Sequence, residues 1–161
     1  MKEYDPRETG SRIRLRDDFL DGLRCYKKRD LAGALDKFRV ADEQAEMDDI
    51  FQNRYTSFHG LVRVFMGDRS GVRLCRKAAV GEEVDVEVYY NLAMAEYKLG
   101  VRGGAYMALR RGLAIDDQHP GLLRFSKEFN LRARHPVIPW LSRDNRFNRA
   151  LGQLFRKRRE P

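Results

Sequence analysis

Residues 89–120 read YYNLAMAEYKLG, VRGG and AYMALRRGLAIDDQHP, two amphipathic segments on either side of a Gly-rich turn. Tyr89, Leu92, Ala93 and Tyr97 recur at helical spacing on the first segment, and Ala105, Leu109 and Leu113 do so on the second. Such spacing puts apolar side chains on one face of a helix. A lone hairpin cannot bury both stripes, and a unit of this kind needs stacked neighbours to complete a core. The rest of the chain is therefore expected to repeat it.

Upstream, Phe19, Leu20, Leu23 and Tyr26 form one stripe and Leu31, Ala34, Leu35, Phe38 and Ala41 the next, with Asp17 or Asp18 as the expected N-cap. Gly22, Gly60 and Ala93 fall at one place late in a first helix. Ala34, Val72 and Ala105 fall early in a second, and Ala41, Ala79 and Gly112 near its end. The intervals are 38 and then 33 in all three sets, and the turns Arg29-Asp30, Gly67-Asp68 and Gly100-Val101 keep the same spacing. Small residues at these points have a physical reason, because two helices approach closely only where their side chains are short. The polar run DEQAEMDD after Ala41 accounts for the longer first interval, as a lengthened helix or a wider turn.

This pattern resembles the tetratricopeptide repeat (TPR) family, whose period is about 34 residues of helix-turn-helix. The resemblance covers residues 17–120. The third unit carries it best, with Tyr89-x2-Leu92-Ala93 and Ala105-x3-Leu109, and the first contributes Gly22, Tyr26 and Ala34-x3-Phe38. The middle unit keeps Gly60, Gly67-Asp68 and Ala79 but has Val72 and Arg76 where small and aromatic residues belong. The implied fold is all-α, a right-handed superhelix of three helical hairpins closed by a capping helix with Leu122, Phe125 and Phe129 in one stripe. The expected organisation is an irregular arm over 1–16, the array with its cap over 17–134, and a distinct tail over 135–161.

The resemblance also implies a concave groove that holds a peptide or a partner helix. Its candidate residues are Phe19, Leu23, Tyr26 and Lys27 from the first unit, Arg54, Ser57, Leu61 and Val64 from the second, and Tyr90, Met94, Tyr97 and Lys98 from the third. Core packing is the competing role for Leu23 and Leu61. TPR domains that clamp a C-terminal carboxylate place Lys and Asn at the positions held here by Phe19 and Leu23, so the resemblance does not extend to that clamp. The implied ligand is an apolar helix or an extended apolar segment.

The tail departs from the array. His135-Pro136 and Pro139-Trp140 break any helix, after which Phe147, Leu151, Leu154 and Phe155 share a stripe on a basic amphipathic helix. From residue 131 onward, nine Lys and Arg face only Asp144 and Glu160, a net +7 of the chain's +8. Trp140 and that stripe fit three roles: packing on the chain's own repeats, docking on another protein or another copy, or presenting Arg143, Arg146, Arg149, Arg156, Lys157, Arg158 and Arg159 to phosphates. Phosphates would mean nucleic acid first and an anionic membrane surface second.

The remaining signals exclude rather than assign. Cys25 and Cys75 have no second Cys or His at metal spacing, and His59, His119 and His135 are scattered without a motif. Gly103-Gly104 falls at a helix-helix turn rather than in a phosphate loop. No constellation supports catalysis, a cofactor or a metal. The charged start MKEYDPRETGSRIRLRDDF precedes any apolar run, and a soluble, cytoplasmic protein is expected. The expected function is a protein-binding adaptor, scaffold or assembly factor, with a basic tail for nucleic acid or membrane as the alternative and a secretion-type chaperone as a narrower variant.

Overall fold

The structure, a computed structural model, describes residues 14–46 and 48–133, without the side chains of 130–133. It is all-helical over these residues: α1 Asp17–Lys27, α2 Leu31–Glu43, α3 Gln52–Phe65, a 3-10 turn Arg69–Gly71, α4 Val72–Ala78, α5 Val86–Lys98, α6 Arg102–Ile115 and α7 Pro120–Ala133. The chain divides into two compact units between Asp117 and Gln118. In the first, α1 packs on α2, α3 on α4 and α5 on α6, with α3 also touching α2 and α5. In the second, α7 carries Phe125 and Phe129 with ring centroids 5.9 Å apart, and the His119 Nδ1 accepts the Leu122 N–H at its start. Among the described residues no helix is long and apolar enough to cross a membrane.

One cap recurs three times. α1, α3 and α5 each end at a left-handed residue, Arg29 (φ 63), Gly67 (φ 97) and Gly100 (φ 81). At each, one N–H bonds back three residues and the next bonds back five: Arg29 to Tyr26 and Asp30 to Cys25, Gly67 to Val64 and Asp68 to Arg63, Gly100 to Tyr97 and Val101 to Glu96. This is the Schellman motif, and it recurs at the 38- and 33-residue intervals of the sequence. Glycine adopts φ > 0 freely, whereas an L side chain such as that of Arg29 costs roughly 1 kcal/mol there. The following helix is then capped by Asp30, which accepts from Gly33 N–H at 2.9 Å, while Asp68 accepts from Ser70 N–H at 2.9 Å.

Several local expectations change. The residue at the α1 N-cap is Arg16, with no side-chain cap, and Asp17 and Asp18 instead occupy the first turn, where carboxylates complement the helix dipole. Arg16 is tied down: its N–H donates to the Tyr55 hydroxyl at 3.1 Å and its guanidinium to Gln44. The acidic run forms a wide turn, since α2 ends at Glu43. Gly103 and Gly104 lie inside α6, so the turn is confined to residues 99–101. Arg76 points to α5 and donates to the buried Glu96 at 2.7 Å, an ion pair where the repeat pattern has an aromatic ring.

Apolar clusters among the described residues run along the first unit. Phe19, Phe38, Tyr55, Phe58 and Val62 join α1, α2 and α3. Leu61, Val64, Val72, Cys75 and Ala95 join α3, α4 and α5. Ala78, Ala79, Val88 and Tyr89 continue to the third hairpin. Cys75 fits the role of a small buried apolar residue, and burial pushes its thiol up to about 12. Polar bonds pin the elements between the clusters: Asp42 at the end of α2 accepts from Gln52 at 2.8 Å and Thr56, and lies 2.8 Å from the His59 Nδ1.

The connection from α4 to α5 is held by Glu82, whose carboxylate accepts the N–H groups of Glu83, Val84 and Asp85 and the Asn53 amide. Burial alone would raise its pKa, but these bonds outweigh it and hold the carboxyl below its ordinary 4.5. Asp68, bonded by Ser70 and Arg63, is lowered from 3.8 to about 2. A depressed carboxylate contributes stability above its unfolded value that disappears as pH falls through its folded value. Stability is therefore expected to decline from pH 4.5 towards pH 2. Followed by circular dichroism, the gap between wild type and Glu82→Gln should narrow as pH falls below 4.5; a gap independent of pH would contradict the assignment.

Candidate functional site

The last residues of α1, α3 and α5 are Lys27, Phe65 and Lys98, again 38 and 33 residues apart. The common caps bring these three ends to one open cavity of about 440 Å³, lined by Tyr26, Lys27, Arg29, Leu31, Phe65 and Lys98. Tyr26 and Phe65 lie parallel, 6° between planes and 6.4 Å between centroids. Burial, then Tyr90 and then Glu87, raise the Tyr26 phenol to about 12. It stays a neutral hydrogen-bond donor at any physiological pH.

Of the groove residues expected from the sequence, Tyr26, Lys27 and Lys98 meet in this cavity. Leu23, Tyr90, Met94 and Tyr97 are half-buried, with Leu23 against the first cluster and Met94 against the second. The others do not line it. Phe19, Leu61 and Val64 are each 1% exposed and belong to the core, Phe19 because its ring packs on Phe38, Tyr55 and Phe58, and Leu61 and Val64 because α3 is enclosed by α2, α4 and α5. Ser57 is fully buried, donating to the Arg54 carbonyl and accepting from Asn91. Arg54 is committed to a two-pronged pair with Asp85, at 2.6 and 2.9 Å.

Sequence reasoning missed Arg29, Leu31 and Phe65 as cavity residues. The signal for Phe65 was present, since it occupies the register position of Lys27 and Lys98. A second cavity of about 370 Å³ lies beside Gly81, Glu82, Glu83, Tyr89, Arg111, Ala114 and Ile115. Two of its polar groups are already engaged: the Tyr89 hydroxyl donates to the Glu82 carbonyl at 2.6 Å, and the Glu82 carboxylate accepts as described.

No family model matches this chain, and a search of curated proteins returns no match either. The chemistry of the site therefore rests on its own residues. Among the described residues no three His, Cys, Asp or Glu side chains come together as a metal could require. The His59 and Asp42 pair neighbours the hydroxyl of Thr56, but that hydroxyl donates to the same carboxylate and the cluster is largely buried. What the cavity offers is a neutral phenol, an aromatic and aliphatic floor and cations at the edge, a surface suited to binding. Trp140, Arg143, Arg146, Phe147, Arg149, Leu151, Leu154, Phe155, Arg156, Lys157, Arg158 and Arg159 lie outside the described residues, as do residues 1–13 of the arm expected over 1–16.

Proposed function

We propose that the chain is a TPR-type interaction module, a right-handed stack of three hairpins whose first helices form a groove for a peptide or helix of another protein. The observation that carries the reading is the threefold Schellman cap, which aligns α1, α3 and α5 and gathers their ends at one cavity. Half-buried Tyr90, Met94 and Tyr97 follow each other at i, i+4 and i+7 on α5. The two Tyr rings supply apolar contact area at modest entropic cost, and the flexible Met adapts to what lies between them. A helical-repeat platform of this kind takes its ligand from groove chemistry rather than from its fold. In this role the protein acts by holding a partner in place and not by catalysis.

The variant Tyr90→Ala/Tyr97→Ala is expected to lose the partners captured by the parent chain, with affinity reduced by about tenfold or more if each ring contributes a hot-spot contact. Circular dichroism establishes that the variant remains folded, and affinity capture followed by quantitative mass spectrometry reads the loss. Retention of the same partners at the same yield by a folded variant would sink the groove assignment.

A further inference from the structure

The cavity at the ends of α1, α3 and α5 carries charge that an apolar ligand does not need. Lys27, Arg29 and Lys98 come from two hairpins, and no ion pair holds any of them among the described residues. Glu87 and Tyr90 are the α5 groups whose fields reach the Tyr26 phenol, so the cations outnumber the nearby acid.

Arg29 adds a separate observation. At its position in the other two hairpins stand Gly67 and Gly100, both at positive φ, while Arg29 keeps a side chain at φ 63. The cap itself favours glycine. Backbone strain of this kind persists where the surrounding structure over-determines it, often at binding sites. Here it keeps an arginine, rather than a glycine, in the lining of the cavity that Tyr26 and Phe65 share.

We propose that this cavity binds an acidic peptide segment of another protein, its carboxylates meeting Lys27, Arg29 and Lys98 while an adjacent aromatic or aliphatic side chain lies on Tyr26, Phe65 and Leu31. The proposal rests on the groove reading above and names the chemistry of its ligand. Arg offers carboxylates a planar fork of donors and the two Lys offer mobile charges. A volume of about 440 Å³ holds an apolar anchor, falling within the roughly 300–1,000 Å³ typical of ligand pockets. The chain's own tail, with nine Lys and Arg against two acids, has the wrong sign to occupy it. The acidic run of a second copy is already used in part, since Asp42 is bonded to Gln52 and Thr56 and Asp49 to Phe51 N–H. Lys27 and Lys98 are the last residues of α1 and α5 and Arg29 lies just beyond α1, so none of the three occupies the positions of Phe19 and Leu23.

Fluorescence anisotropy with the full chain tests this, using a labelled peptide with Asp pairs flanking a Phe, its Asn counterpart and a labelled single-stranded oligonucleotide. The acidic peptide should bind at least about tenfold more tightly than the Asn peptide, and Lys27→Glu/Lys98→Glu should remove about tenfold of that affinity. Lys27→Arg/Lys98→Arg should retain it, and Arg110→Glu, exposed on α6, which lends no residue to the cavity, should leave it unchanged. Arg29→Gly should raise the unfolding temperature while weakening the peptide by about fivefold, an opposite movement that a purely structural residue would not produce.

Equal binding of the two peptides, no binding of the acidic one, or indifference to Lys27→Glu/Lys98→Glu would overturn the proposal. So would an oligonucleotide alone binding through Lys27 and Lys98, or a dimer in light scattering that the same variant dissociates. Partner loss in Tyr90→Ala/Tyr97→Ala without acidic-peptide binding removes the cavity assignment and keeps the groove. Acidic-peptide binding with no partner loss does the reverse.

Discussion

Phe38→Ala should lower the stability of the chain by about 4 kcal/mol, the usual scale for removing a fully buried aromatic ring. In a domain of this size such a loss lowers the unfolding midpoint by roughly 12 °C. Phe38 is fully buried, and its ring lies 5.3 Å from Phe19 and 5.2 Å from Phe58 between centroids. It therefore joins α2 to both α1 and α3, and truncation leaves a cavity shared by three helices. Thermal and urea unfolding followed by circular dichroism measure the loss.

The same ring explains a glycine. A Cβ on Gly22 would lie 2.6 Å from the Phe38 Cδ1 and Cε1, so Gly22→Ala is expected to destabilise the parent. With the ring gone, the severe overlap is relieved and the Lys37 Cβ at 3.3 Å is the tight neighbour that remains, so the alanine keeps most of a helix-propensity gain of about 1 kcal/mol. The substitution should then stabilise the Phe38→Ala background. Additive effects in the double-mutant cycle would show that the ring and Gly22 do not share this contact.

The hairpins were legible in the sequence because close helix approach demands small residues, and Gly22, Ala34 and Ala41 announce it along with their partners 38 and 33 residues on. The turns were legible for a different reason at Gly67 and Gly100, where the left-handed cap favours glycine. What periodicity could not supply was the environment of α3. Every residue from Tyr55 to Val62 is buried, because helices enclose α3 on several sides, and an amphipathic stripe loses its meaning for an element buried all round. Ser57, Leu61 and Val64 thus moved from groove to core.

Arg54 and Arg76 were opaque for another reason. Their partners Asp85 and Glu96 lie 31 and 20 residues away, and only the folded backbone brings such pairs together. The cavity was half legible: Lys27 and Lys98 followed from the resemblance, whereas Arg29 required knowledge that a non-glycine residue holds the left-handed cap.

Gly60→Ala should destabilise the chain by about 2 kcal/mol, although alanine is the better helix former. A Cβ at this position would lie 2.6 Å from the Gly71 carbonyl oxygen, 2.8 Å from the Leu74 Cβ and 2.9 Å from the Cys75 Sγ. The nearest obstacle is backbone, which cannot rotate aside. The converse contact exists too, since a Cβ on Gly71 would meet the Gly60 carbonyl oxygen at 2.5 Å. Two glycines thus set the distance between α3 and the start of the second helix of that hairpin, where the chain first turns as a 3-10 segment and then continues as the short α4.

Forcing them apart costs about 3 kcal/mol on the scale of overpacked cores. The propensity gain of about 1 kcal/mol returns only part of it. Gly103 supplies the contrast: it is also helical, but a Cβ there meets nothing within 4 Å, so Gly103→Ala should stabilise by about 0.5–1 kcal/mol. Urea unfolding of both variants against wild type reads opposite signs if backbone contact is the cause. A neutral or stabilising Gly60→Ala would mean that α3 and α4 do not approach at this point.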